Sequence, residues 1–175
     1  MASFQENMLA YKAELEKGSI QQAYKGLMEY MLKLRSHFQN QLPGCEVPGS
    51  IYFGYMDMTY FSIIPPALKE HKLKIALVFL HEAFRFEVWL SGYNRQVQAR
   101  YWKLIREAGW GHYRLVGDPL KADAVLEHVL VEKPDFDDLT GLTAQIEGET
   151  LSFIANAEVL LSSISGQGVK NDNPF

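Results

Sequence analysis

Only one cysteine, Cys45, stands in the 175 residues, so no internal disulfide can form and a reducing compartment is expected. Long hydrophobic runs are missing too. No stretch approaches the roughly 20 apolar residues needed to span a bilayer. The first residues, MASFQENMLAYKAELEKG, hold no apolar core of a secretory signal. A soluble, cytoplasmic chain with no membrane partner is the expectation. Positive charge is not in excess: 17 basic against 21 acidic residues give a net charge of −4, which disfavours nucleic acid as a partner. The five histidines (His37, His71, His81, His112 and His128) show no HxH, HExxH or Cys/His spacing, so no metal is expected. Neither a nucleophile elbow, a P-loop nor a dinucleotide fingerprint is present, and Cys45 lies in the loop LPGCEVPGS without the surroundings of a nucleophile. No cofactor and no catalytic residue are assigned on these grounds.

What remains is an ordinary globular composition. The hydrophobic fraction of 47% and charged fraction of 22% argue against disorder, and 13% aromatic residues suggest a core of large side chains. At 20.0 kDa the chain fits one domain with a sizeable core, taken here as residues 1–165, followed by a polar, flexible tail over 166–175.

Helical spacing of Phe4, Met8, Tyr11 and Leu15 predicts a first helix over Phe4 to Lys17, closed by Gly18. Ser19 with Gln22 three residues on reads as a capping box for a second helix to about Gln39, with an apolar stripe from Ile20 to Phe38. Together they predict an N-terminal αα-hairpin. The aromatic segment Ile51 to Ile64 is β-prone, with Gly54 marking a bend, and Pro65-Pro66 stops it. A third helix over Arg95 to Ala108, a strand within Ala122 to Glu132 and a last helix over about Leu139 to Ile164 complete the pattern. The order ααβββαβα predicts an α+β fold with a mainly antiparallel sheet of about four strands.

The stretch from Lys72 to Trp102 carries the most chemistry. Leu73 to Leu80 is almost wholly apolar, whereas Phe84 to Ser91 alternates strictly. With His81 and Phe84 flanking the hairpin loop, Leu80 faces Arg85, Val78 faces Glu87 and Ala76 faces Trp89. One sheet face is then wholly apolar and must pack on helices. The other mixes Ala76, Val78 and Leu80 with Arg85, Glu87 and Trp89. Those three residues form either a structural ion pair beside a tryptophan or the wall of a binding cleft. Asn94 caps the following helix, and Arg95 beside its N-terminus could clamp an anion. Trp102 and Arg106, on the side of that helix away from the Val97, Tyr101, Leu104, Ala108 stripe, either pack beneath a terminal helix or serve as an interface such as a homodimer contact. Asp57 either sits in a turn or is buried with a partner, and His81-Glu82 is expected to face solvent. The acidic run at Asp135, Asp137 and Asp138 suits the start of the last helix.

The block Gly54 to Phe61 (GYMDMTYF), with His81-Glu82, Arg85 to Leu90 (RFEVWL), Asn94, Gln98, Tyr101 and Trp102, resembles a bacterial family of small uncharacterised proteins. The resemblance spans most of the chain and implies a bacterial cytoplasmic domain, with no mechanism attached. At fold level the order helix, three strands, helix, strand looks like the core of PD-(D/E)xK nucleases. That likeness would make Asp57 and Glu87 metal-binding acids, but Trp89 stands where those enzymes place a lysine. The leading expectation is therefore a binding or interaction module. Its site would be Arg85, Glu87, Trp89, Asn94 and Arg95, and its partner a small anionic ligand or another protein. A metal-dependent phosphodiesterase, or an inactive relative of one, is the alternative.

Overall fold

A computed structural model describes residues 2–168, and the chain divides into two compact units, residues 1–37 and 38–175. The first unit holds helix α1 (Phe4–Glu16) and most of α2 (Ser19–Gln41). Ser3 caps α1: its hydroxyl accepts from Glu6 N while the Glu6 carboxylate accepts from Ser3 N at 2.6 Å, a reciprocal capping box. Gly18 ends the helix at φ 77°, where a side chain would be strained. The expected second capping box does not form. Ser19 is already helical, and Gln22 N bonds to the Gly18 carbonyl, so the glycine supplies the start of α2.

The second unit is a five-stranded sheet with helices: β1 (Met58–Ile63), α3 (Pro66–Glu70), β2 (Leu73–Leu80), β3 (Arg85–Gly92), α4 (Arg95–Glu107), β4 (Arg114–Leu115), β5 (Leu126–Val131) and α5 (Leu139–Gly168). The strand order is β1-β2-β3-β5-β4, antiparallel throughout. The fold is thus α+β as expected, with one strand more than expected, because the two-residue β4 is too short to leave a periodic signal. The β2–β3 register matches the expectation: Leu80 opposite Arg85, Val78 opposite Glu87, Ala76 opposite Trp89. The β-prone aromatic segment is strand only from Met58. Before it, Gly54 (φ 69°) makes a tight turn in which an added Cβ would strike the Met58 carbonyl, and Tyr52 bridges back to Tyr60.

Alternation gives the sheet two unlike faces. Phe61, Ile63, Ile75, Leu77, Phe86 and Val88 point to one side and are fully or almost fully buried. α5 lies against β5 and β3 and adds Ile146, Phe153 and Leu160 to this core. At roughly 25 cal/mol per Å² of apolar surface, each such side chain contributes about 1.5–3 kcal/mol. The opposite face carries a smaller cluster, Ala76, Val78 and Trp89 under Val116 and Ala124, with Trp102 packed against it. No described helix is long and apolar enough to cross a membrane. α5 extends past the expected end at Ile164 to Gly168; the rest of the expected tail, 169–175, lies outside the described residues.

Candidate functional site

The mixed face is built by β3, whose alternation puts Arg85, Glu87, Trp89 and Ser91 in one row. Arg85 and Glu87 form an ion pair: Arg85 Nε donates to Glu87 Oε1 at 2.7 Å, and a second guanidinium nitrogen lies 2.6 Å from the same oxygen. The other oxygen, Oε2, accepts from Trp89 Nε1 at 2.6 Å. The Glu87 side chain is only 5% exposed, so both its oxygens are spent inside the protein. Burial works against the charge of Arg85. The hydrogen bonds and charges of Glu87 and then Glu132 outweigh it and raise the pKa above the ordinary arginine value.

Trp89 divides this row between two clefts. On one side, Arg85 and Glu87 line a cleft of about 400 Å³ with His112, Arg114, Glu127 and His128. Burial raises the Glu127 pKa, against the opposing pull of Arg114 3.4 Å away. Each carboxylate here already has an arginine, which is the pattern of a structural ion network.

On the other side, Trp89, Asn94 and Arg95 line a cleft of about 460 Å³ at the start of α4. Asn94 caps α4 as expected, its Oδ1 accepting from Val97 N at 2.9 Å. Arg95 is held from behind: its guanidinium donates to the Ala122 carbonyl and, at 3.0 Å, to Asp123 Oδ1. Gln98 is buried and ties the same loop, donating to the Pro119 and Ala122 carbonyls at 3.0 and 2.7 Å. Gly92 lets α4 cross the end of β3, since a Cβ there would lie 2.6 Å from Gln98 N.

Most of the residues lining this cleft lay outside the expected set, and four of them matter most. Tyr52 and Tyr60 stack with ring centroids 5.0 Å apart, and Lys74 and Tyr93 complete the wall. The same four residues also line an adjoining cleft of about 710 Å³, so the two are continuous. Burial, then Tyr52 and Asp123, raise the Tyr60 pKa. Lys74 has no ion-pair or hydrogen-bond partner among the described residues, whereas Lys69, further along, is bound to Glu46 at 2.7 Å. Lys74 and Tyr60 were readable from alternation, because both share the mixed face with Ala76 and Val78. Asp123 was not, since it belongs to a loop.

The remaining candidates fall elsewhere. Trp102 is half-buried on the mixed-face cluster, its Nε1 donating to the Val116 carbonyl at 2.7 Å, and Arg106 stacks over its ring at 5.0 Å. The buried line of α4 is Gln98, Tyr101 and Ile105 rather than the expected Val97–Ala108 stripe, because Gln98 satisfies its amide inside while Ala108 is exposed. His81 does not face solvent: it is half-buried, with Nε2 2.9 Å from Thr59 Oγ1. Burial lowers its pKa, against the opposing pull of Asp57. Asp57 occupies the turn before β1, where the backbone N–H groups of Tyr55 and Met58 hold its carboxyl below the ordinary range. Asp57 is exposed and Glu87 is buried and saturated, so these two acids do not assemble into a metal centre. Among the described residues no group of three or more His, Cys, Asp or Glu side chains could hold a metal ion.

Neither a curated protein nor a solved structure matches the chain significantly. A protein family does match over residues 4–161, nearly the whole chain, and the protein therefore belongs to DUF7000, a domain of unknown function.

Proposed function

We propose that the protein is a non-enzymatic binding module whose cleft at the start of α4 takes a small ligand carrying an anionic group and a flat ring. The observation that carries this reading is Lys74. It lines the cleft together with the stacked Tyr52–Tyr60 pair and Arg95, and it has no carboxylate partner among the described residues. Lys74 and Arg95 against Asp123 leave the cleft locally positive in a chain of net charge −4. Only part of the Arg95 fork is tied back, so further N–H donors remain for an anion. The tyrosine rings offer a face to an aromatic or other planar group. The bacterial cytoplasm is the setting we infer, on the resemblance in sequence and the single Cys45.

The phosphodiesterase alternative draws no support from the placement of Asp57 and Glu87. Calorimetric titration tests the binding reading, with AMP and phenyl phosphate as probes and neutral adenosine as control. The expected result is heat from the phosphorylated probes, none from adenosine, and at least about a tenfold weaker affinity in Lys74→Ala/Arg95→Ala, equivalent to about 1.4 kcal/mol. No uptake of either phosphorylated probe, or equal binding by the double variant, would overturn the assignment.

A further inference from the structure

β1 is the outermost strand on its side of the sheet, and its outer edge is met by the chain segment before it, closed at two points and open between them. Tyr52 exchanges both backbone hydrogen bonds with Tyr60, at 2.8 and 2.9 Å, and Glu46 does the same with Ile64, at 3.0 and 2.8 Å. Backbone polar groups alternate sides along a strand. The N–H and C=O of Ser62, midway between Tyr60 and Ile64, therefore point to the same outer side. They have no hydrogen-bond partner among the described residues. The cause is a mismatch in length. Seven residues, Glu46 to Tyr52, run against the five from Tyr60 to Ile64, so two extra residues lift the segment off the edge. Ser62 is half-buried, and a backbone pair in such a place is normally answered by protein, water or a ligand. It lines the cleft of about 710 Å³ with Lys74, Tyr52 and Tyr60, the cleft that continues into that of Arg95.

We propose, in an inference that rests on the binding reading above, that the backbone of Ser62 reads the edge of the ligand's ring. The ring is then a nucleobase with a ring nitrogen beside an exocyclic amino group, as in a 6-aminopurine. The Ser62 N–H donates to the ring nitrogen and its C=O accepts from the amino group, while Lys74 and Arg95 hold the phosphate. Three observations support this class of ligand. A strand residue presents one donor beside one acceptor, which such a base edge complements in reverse order. An added peptide strand would need several free residues in a row, but the edge is closed on both sides of Ser62, which leaves room for a small planar molecule. Lys74 lines both parts of the cavity, so a ligand with its ring at Ser62 keeps its anion in the positive part. The stacked Tyr52 and Tyr60 rings lie in the same wall and offer the base a face.

Calorimetric titration of the full chain with three probes tests the proposal: AMP, purine riboside 5′-monophosphate, which keeps ring and phosphate but lacks the amino group, and phenyl phosphate. AMP should bind the wild type at least about tenfold tighter than either of the others. Ser62→Pro removes an N–H that the ladder with β2 does not use, a change that an edge strand tolerates. It should weaken AMP about tenfold, leave phenyl phosphate unchanged and preserve the far-ultraviolet circular dichroism spectrum. Ser62→Ala keeps the backbone pair and should bind AMP as the wild type does. Equal affinity of the wild type for all three probes would overturn this inference and leave the anion site standing, whereas uptake of none would overturn the binding reading and this inference with it. Unaltered AMP affinity in a folded Ser62→Pro, or a loss in Ser62→Ala, would also overturn it. The probe series needs no substitution, so it decides the matter even where the proline variant fails to fold.

Discussion

Replacing Arg85 with alanine leaves Glu87 in a place where its charge has one remaining donor, the Trp89 indole, and almost no water: its side chain is 5% exposed. Removing one partner of a buried pair in this way costs about 3–5 kcal/mol. Glu87→Gln is milder. Arg85, 25% exposed, keeps solvent and Glu132 at 3.3 Å, and the amide oxygen still accepts from either Arg85 or Trp89. Its NH₂ then faces a donor, a misfit of about 1–3 kcal/mol. Arg85→Leu/Glu87→Leu removes both charges and should cost less than Arg85→Ala alone, because exchanging a whole buried pair for apolar groups is often neutral. Urea unfolding followed by tryptophan fluorescence measures all three. With a slope of about 2 kcal/mol per M, Arg85→Ala moves the midpoint down by about 2 M and Glu87→Gln by about 1 M. A cost below about 1 kcal/mol for Arg85→Ala would mean that water solvates Glu87, and the burial argument would fail.

Two further substitutions probe other buried polar groups. Thr150 is fully buried on α5 with a hydroxyl that has no hydrogen-bond partner among the described residues. Thr150→Val, which keeps the shape, should raise stability by about 1 kcal/mol, and a loss in thermal melting would show that the hydroxyl is satisfied. Glu127 has a pKa raised by burial above the ordinary 4.5, so folding binds its proton more tightly and its carboxylate costs stability as pH rises through the folded value. Glu127→Gln should match the wild type near pH 4.5 and exceed it at neutral pH, because Arg114, 74% exposed, loses little on parting from its partner. A difference that stays constant across that range in urea midpoints would contradict the assignment.

What could be read from the chain was whatever repeats. Strict alternation from Phe84 to Ser91, joined to an apolar run by a four-residue loop, fixed the hairpin register and the composition of both faces. Asn94 was legible as a cap because its side chain answers a backbone need that every helix start has. The cleft of Lys74, Tyr52 and Tyr60 was only half legible. Lys74 and Tyr60 share the readable alternation, but Tyr52 reaches its partner across a turn, and Asp123 comes from a loop with no period at all. The same loop explains the shift in α4: Gln98 is buried because the Pro119 and Ala122 carbonyls satisfy it, and polarity alone would put such a residue outside. Likewise His81 turns inward because Thr59 offers it a hydroxyl, a contact 22 residues away in sequence.

The ion pair and the cleft first present themselves as rival readings of one row of side chains, and the contacts link the two through Trp89. Trp89 presents its ring to the cleft that holds Arg95 and Lys74, while its indole N–H is fixed by Glu87, which is in turn fixed by Arg85. A tryptophan with a free N–H could choose among rotamers; one bound at 2.6 Å to a buried carboxylate is held in one. On the other side Asp123 and the Ala122 carbonyl do the same for Arg95. Both walls of the cleft are thus positioned from behind by groups that do not line it, apart from Asp123, and on the binding reading proposed above a ligand would meet a cleft with little ordering left to do. On that reading Arg85 and Glu87 act on the cleft through Trp89, without touching a ligand.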